Sequence, residues 1–200
     1  MLDQLITHLI AFMGLIEESI MVKQGLLLYF IGLQLELSML TIIKCRALLA
    51  IKHDRNVEYD LLEYLLSSHE SLNIYRYSYR SYIQMDPVLD LLLFDKNYPR
   101  SLSFMLKRLQ KDIARLPHSK STHQLANYQK FVFEAFSKLQ LADKNVLMRT
   151  PSENDVVRKE MDALFDELSD LLYNASQAIT DIYFNHTEKQ SQLVNPIFPV

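Results

Sequence analysis

The sequence predicts an all-α fold, an antiparallel bundle of about six to seven helices, on two observations. Hydrophobic residues make up 49% and charged residues 22% of the 200-residue chain, yet only three glycines are present, too few for the turns that sheets require. Apolar residues also recur at the i, i+3, i+4, i+7 spacing of an amphipathic helix. One domain is expected over residues 1–187. Beyond it, 188–200 loses periodicity and gains two prolines, which reads as a C-terminal tail.

Taken in order, a first helix is expected from Leu2 to Val22 and a second from Leu26 to Ile51, joined at Gln24-Gly25 as an antiparallel hairpin. Val57, Leu61, Leu62, Leu65, Leu66 and Leu72 form the stripe of a third helix that runs on through the tyrosines Tyr75 to Tyr82. Asp86-Pro87 restarts the chain, because Asp caps a helix well and Pro suits its first turn, so Pro87 to Phe94 reads as a short apolar helix. Pro99 repeats the device for a helix with the stripe Leu102, Met105, Leu106, Leu109 and Ile113, stopped by Pro117. A further stripe runs from Leu125 through Tyr128, Val132, Ala135, Phe136 and Leu139. Ser152 and Asp155 offer a capping box for the longest helix, with apolar positions from Val157 to Ile182.

Composition excludes several functions. A formal charge of −3 and a pI near 6.1 provide no electrostatic footprint for nucleic acid. The single Cys45 rules out a disulfide scaffold and is expected to be a buried, inert thiol, which fits a reducing, cytoplasmic compartment. Met1 to Ile20 lacks the basic start and small-residue cleavage site of a signal peptide. Gly25 to Ile43 approaches the length of a membrane span, but Glu36 falls near its middle, where a carboxylate costs at least about 2.5 kcal/mol. A buried core helix is therefore expected there, and no membrane span.

No phosphate-binding glycine loop, nucleophile elbow or activated cysteine signature is present, so catalytic residues are unassigned and no cofactor is expected. The six histidines form no His-x-x-x-His or Glu-x-x-His pair, and no metal site is expected. Glu36 is the sharpest single residue. Gly32, Leu33, Met39 and Leu40 surround it on its own helix, so a partner must come from another helix, with Arg76, Arg80 and Arg100 as candidates. A ligand-facing carboxylate is the alternative. Tyr75, Tyr79 and Tyr82 share a helical face beside Arg76 and Arg80, and a tyrosine-lined core edge is the plain reading. Arg100, just inside the helix begun by Pro99, opposes the positive end of the dipole and should be offset by Asp90, Asp95 or Glu36. Finally, Leu26 to Phe30 are five consecutive apolar residues pointing around a whole helix circumference, and their cover is expected from self-association through the first two helices.

The run Tyr75-Arg76-Tyr77-Ser78-Tyr79-Arg80-Ser81-Tyr82, then Pro87-Val88-Leu89-Asp90-Leu91-Leu92-Leu93, then Asp95 and Asn97 leading into Pro99-Arg100-Ser101-Leu102, closely resembles the bacterial alpha-E domain family. Gly14-Leu15-Ile16-Glu17-Glu18-Ser19, Gly32 with Glu36, and Tyr183-Phe184-Asn185-His186 resemble other helices of that family, so the likeness spans most of the chain. It departs in two ways. Family members usually open with a further helical segment carrying a first Glu-Arg motif, and this chain is expected to begin after it. The second Glu-Arg stands here as Glu36-Leu37, and Leu26 and Leu33 occupy positions where the family tends to have Trp and Arg. The resemblance implies a candidate Glu/Arg site of Glu36, Arg76, Arg80, Asp90, Asp95, Arg100 and His186. It also implies a protein partner of the ATP-grasp peptide-ligase or transglutaminase-like class. The expected function is a non-catalytic binding or scaffold component; the alternative is an enzyme or substrate-binding subunit of a peptide-modification system.

Overall fold

Four antiparallel helices form a closed ring around the core, and the ring follows from which apolar stripes meet. The computed structural model describes residues 1–19, 23–117, 124–150, 152 and 155–184, side chains 16–19 and 23 excepted. Within them, α2 (Lys23–Leu49) packs on α6 (Leu102–Ile113), α6 on α7 (Asn127–Leu141), α7 on α9 (Lys159–Tyr183), and α9 back on α2. Polar contacts fix the directions. Gln140 near the end of α7 donates to Ser103 at the start of α6, at 2.9 Å, and Tyr128 early in α7 meets Tyr183 at the end of α9 edge-on at 6.5 Å. Arg46 near the end of α2 pairs with Asp162, at 2.7 Å, and with Asp166, both in the first turns of α9.

The stripes of α6 and α9 are buried as the sequence predicts: Leu102, Met105, Leu106, Leu109 and Ile113 in one, Met161, Leu164, Phe165, Leu168, Leu172, Ala175 and Ile179 in the other. At about 1.5–3 kcal/mol per fully buried side chain, these two stripes alone supply a large share of the hydrophobic drive. α7 contributes Tyr128, Val132, Ala135 and Leu139.

The segment between α2 and α6, together with α8, packs onto this ring. The expected third helix is broken in two, α3 (Arg55–Ser68) and α4 (Leu72–Tyr79), because Glu70 adopts the left-handed region with φ 51 and the Ser71 amide turns back to the Leu66 carbonyl at 2.8 Å. α4 ends at Arg80, also left-handed with φ 47. A short α5 (Met85–Leu89) continues as a π-helical turn, Asp90–Phe94, whose Leu91, Leu92 and Leu93 plug the core beside α6. α8 (Lys144–Leu147) is a single turn against α9. Together these make nine α-helices among the described residues, against the six to seven expected.

Three further expectations are corrected. The helix after Pro99 begins only at Leu102, because the Ser101 hydroxyl accepts from the Phe104 amide at 3.1 Å and caps it, leaving Pro99 and Arg100 in the preceding turn. The longest helix begins at Lys159 rather than near Ser152, since residues 156–158 are held extended: Ile51 bridges Val157, the Lys52 amide reaches Val156 and the Arg158 amide reaches Ala50, both at 2.7 Å. The antiparallel hairpin of the first two helices does not form. In α1 (Leu2–Ser19) Leu2, Leu5, Ile6, Leu9, Ile10, Phe12, Met13 and Leu15 are all exposed, between 46% and 70%, so this helix lies against no described element along those residues. The tail, 188–200, lies outside the described residues.

Gln24–Leu49 is long and apolar enough to cross a membrane by length and composition. Here it is one member of the ring, packed on α6 and α9. It buries Leu27, Ile31, Leu35, Ile42, Cys45 and Leu49, and leaves a stripe of Gly32, Glu36, Leu37, Leu40, Ile43 and Ala47 facing outward.

Candidate functional site

Glu36 stands on that outward stripe, exposed, with no ion pair to a described residue, so the expectation of a carboxylate buried within reach of an arginine is overturned. The physical reason is the position of the buried face. Gln34, Leu35, Ser38, Thr41 and Ile42 turn inward, and a residue one step past Leu35 is rotated about 100° away from it.

Arg100 is satisfied, but by none of Asp90, Asp95 or Glu36. Its guanidinium donates to the His69 carbonyl at 2.9 Å and pairs with the Glu70 carboxylate at 2.5 Å. Lys44 donates to the Ser68 carbonyl at 3.1 Å. The two cations thus cap the C-terminal carbonyls of α3, where positive charge complements the helix dipole. Beside them lies a cavity of about 330 Å³ lined by Gln34, Thr41, Lys44, His69, Arg100 and the apolar Leu37, Leu40 and Met105, among others. Gln34 Oε1 is buried without a hydrogen-bond partner. His69 is held below the usual imidazole range, first by burial and further by nearby Lys44 and Arg100, against the opposing pull of its bond to the Leu65 carbonyl.

Ser68 Oγ is 3.4 Å from His69 Nδ1, but this is not a nucleophile and its base. Ser68 donates to the Leu65 carbonyl at 2.9 Å, and His69 Nδ1 lies 3.1 Å from the same oxygen, which it can meet only as a donor.

The other predicted residues are placed apart. Arg76 pairs with Glu63 at 2.9 Å on an exposed edge of α3 and α4, and Arg80 is exposed at the end of α4. Asp90 holds Lys144 at 2.7 Å, together with Asp86 at 2.9 Å. Asp95 organises the turn before α6, its carboxylate accepting from the amides of Asn97 and Tyr98 at 2.7 and 3.1 Å. Tyr75 is fully buried, its hydroxyl bridging the Tyr82 carbonyl and the Gln84 amide, while Tyr82 points outward. Burial, followed by the Asp90 and Asp95 carboxylates, raises the Tyr79 phenol. His186 lies outside the described residues. Among the described residues no group of three or more His, Cys, Asp or Glu gathers to hold a metal. Cys45 is fully buried and its thiol is pushed up to about 12 by that burial.

Sequence reading missed the polar group that ties the bundle's end together. Arg158 is 4% exposed; its guanidinium donates to the carbonyls of Leu49 and Ile51, at 2.8 and 3.0 Å, and pairs with Glu58. No local spacing announces a contact across about a hundred residues. Arg46 had a legible sign: Asp162 and Asp166 stand four apart on one face of α9, as a fork for a single guanidinium.

Uncharacterized proteins of Mycobacterium bovis and Mycobacterium tuberculosis are each 26% identical to this chain over 170 residues, which is 84% of the chain but 18% of theirs. The chain therefore spans about a fifth of the length of these curated relatives. No solved structure matches it. The Alpha-E family model, described as a predicted alpha-helical domain with a conserved ER motif, matches residues 1–184, although Glu is nowhere followed by Arg in this sequence. With its helical ring and a match over nearly its whole length, the chain belongs to the Alpha-E family.

Proposed function

We propose that this chain is a non-catalytic binding module whose first helix, with the outward face of α2, is an association surface occupied by a second copy of the chain. The carrying observation is the exposure of eight large apolar side chains on α1. Helices in proteins owe most of their stability to tertiary packing, and α1 packs on no described element along residues 2–15, so it needs a cover. The outward face of α2 has matching character, with Leu37, Leu40 and Ile43 between 40% and 54% exposed. Counting both copies, these side chains offer on the order of 1,000 Å² of apolar surface, the lower bound for a specific interface. A two-fold pairing satisfies both faces at once.

The scatter of Glu36, Arg76, Arg80 and Arg100 supports this reading over a Glu/Arg pocket. The alternative, a substrate-binding subunit or enzyme, draws on the cavity beside Arg100 with the orphaned Gln34 amide, which holds only one of those four residues. The partner class implied by the family resemblance, an ATP-grasp-type peptide or amide ligase or a transglutaminase-like protein, belongs to the same proposal: the paired module would present its remaining surface to such an enzyme in a reducing cytoplasm. Sedimentation equilibrium at micromolar concentration tests the association. A dimer that becomes monomeric on Leu5→Glu with Leu9→Glu supports it, and a wild-type monomer defeats it.

A further inference from the structure

We propose that the cleft between the start of α2 and the outer side of α6 binds a small organic anion with two or more negative charges on an aromatic or aliphatic body. This goes beyond the association surface and does not depend on it. The cleft encloses about 660 Å³, within the range of small-ligand sites. Its walls are apolar where α2 and α6 approach, from Leu26, Leu27 and Phe30 on one side and Phe104 on the other. Phe30 and Phe104 are only half-buried, so their rings are available to a flat or extended body.

The rim is cationic. Lys107, Arg108 and Lys111 project from α6, Arg115 from the turn after it, and Lys96 reaches in from the turn before it. Asp112 is the one carboxylate, shared between Arg115 at 3.3 Å and Arg108 at 3.9 Å. Five cations against one anion leave a local excess of four positive charges in a chain whose net charge is −3. Lys96, Lys107 and Lys111 pair with no described residue. Complementing the negative end of α6 accounts for Lys111 in its last turn and Arg115 just beyond it, but not for Lys107 in mid-helix or Lys96 before it. Converging cations above an apolar floor are the arrangement that recognises a multiply charged anion carrying a hydrophobic body, since the charges give attraction and orientation while the floor selects against bare inorganic ions.

Isothermal titration calorimetry of the full chain at low ionic strength with naphthalene disulfonate tests the site, with inorganic sulfate as the body-free control. Saturable binding of the disulfonate is expected, with no measurable sulfate binding. Lys107→Glu with Lys111→Glu, both exposed and free of packing roles, should weaken it at least about tenfold, while Leu5→Glu with Leu9→Glu on α1 leaves it unchanged. Equal affinity in the double lysine variant, binding of sulfate as tight as that of the disulfonate, or loss of binding in the α1 variant would each overturn the proposal.

Discussion

Replacing Arg158 by Met removes the guanidinium while keeping an unbranched apolar stem, and so isolates the polar clasp where α2 ends and α9 begins. Two carbonyls, of Leu49 and Ile51, lose their side-chain donor, and the Glu58 carboxylate loses its cation. A buried acceptor left without its donor costs about 1–3 kcal/mol. The Leu49 bond is buried, whereas the Ile51 bond and Glu58, the latter with 27% of its side chain exposed, are partly reached by water, which keeps their cost at the low end. The total is about 3 kcal/mol, or roughly 6–12 °C of Tm for a chain of this size. Thermal unfolding followed by circular dichroism at one fixed protein concentration measures it, since association also raises stability. Glu58→Gln, which retains an acceptor, should cost about 1 kcal/mol. A Tm for Arg158→Met within about 2 °C of wild type would refute the reasoning and mean that the clasp is electrostatically neutral.

Three other outcomes are expected. Arg80→Gly should stabilise the fold by about 0.5–1 kcal/mol in urea denaturation, because Arg80 is a left-handed helix cap with no ion pair to a described residue and glycine adopts that conformation without steric cost; a loss of stability would sink this. Glu36→Ala should change stability by less than about 0.5 kcal/mol, as for other exposed sites, and should tighten any self-association, since it removes the only charge from the outward α2 stripe. His69, whose folded pKa is held below the ordinary imidazole value chiefly by burial, binds its proton more readily when unfolded; stability therefore falls as pH drops through the unfolded value toward the folded one. His69→Gln should flatten the stability profile between neutral and mildly acidic pH, and an unchanged slope would assign that dependence to other groups.

Helices whose apolar residues fall on one side were legible residue by residue. The stripes of α6 and α9 were identified with few exceptions, Ile182 being exposed at the end of the second. α2 was not legible in the same way. It is apolar nearly all round, so no periodicity marks which face turns inward, and Glu36 was assigned to the wrong one. The break between α3 and α4 carries no sequence punctuation, because the residue forced to positive φ is Glu70 rather than Gly or Asn. Arg100 misled for a third reason: Ser101 outcompeted Pro99 as the start of α6, which took the arginine out of the helix and turned it toward Glu70. The family pattern from Tyr75 to Leu102 located a real structural unit, in which Asp95 shapes the turn before α6 and Asp90 anchors Lys144, yet those side chains serve the fold at separate places.

Amide hydrogen exchange along α1, measured as protein concentration is raised, tests the association surface most directly. Residues 2–15 are all exposed among the described residues, so on the proposed association their protection comes from a partner surface. Protection in α1 that is absent in dilute solution and grows with concentration, together with slowed exchange around Leu37 to Ile43 of α2, is the expected result. Exchange in α1 at the rate of an unstructured peptide at every concentration, or strong protection already complete in a dilute monomer, would contradict the account.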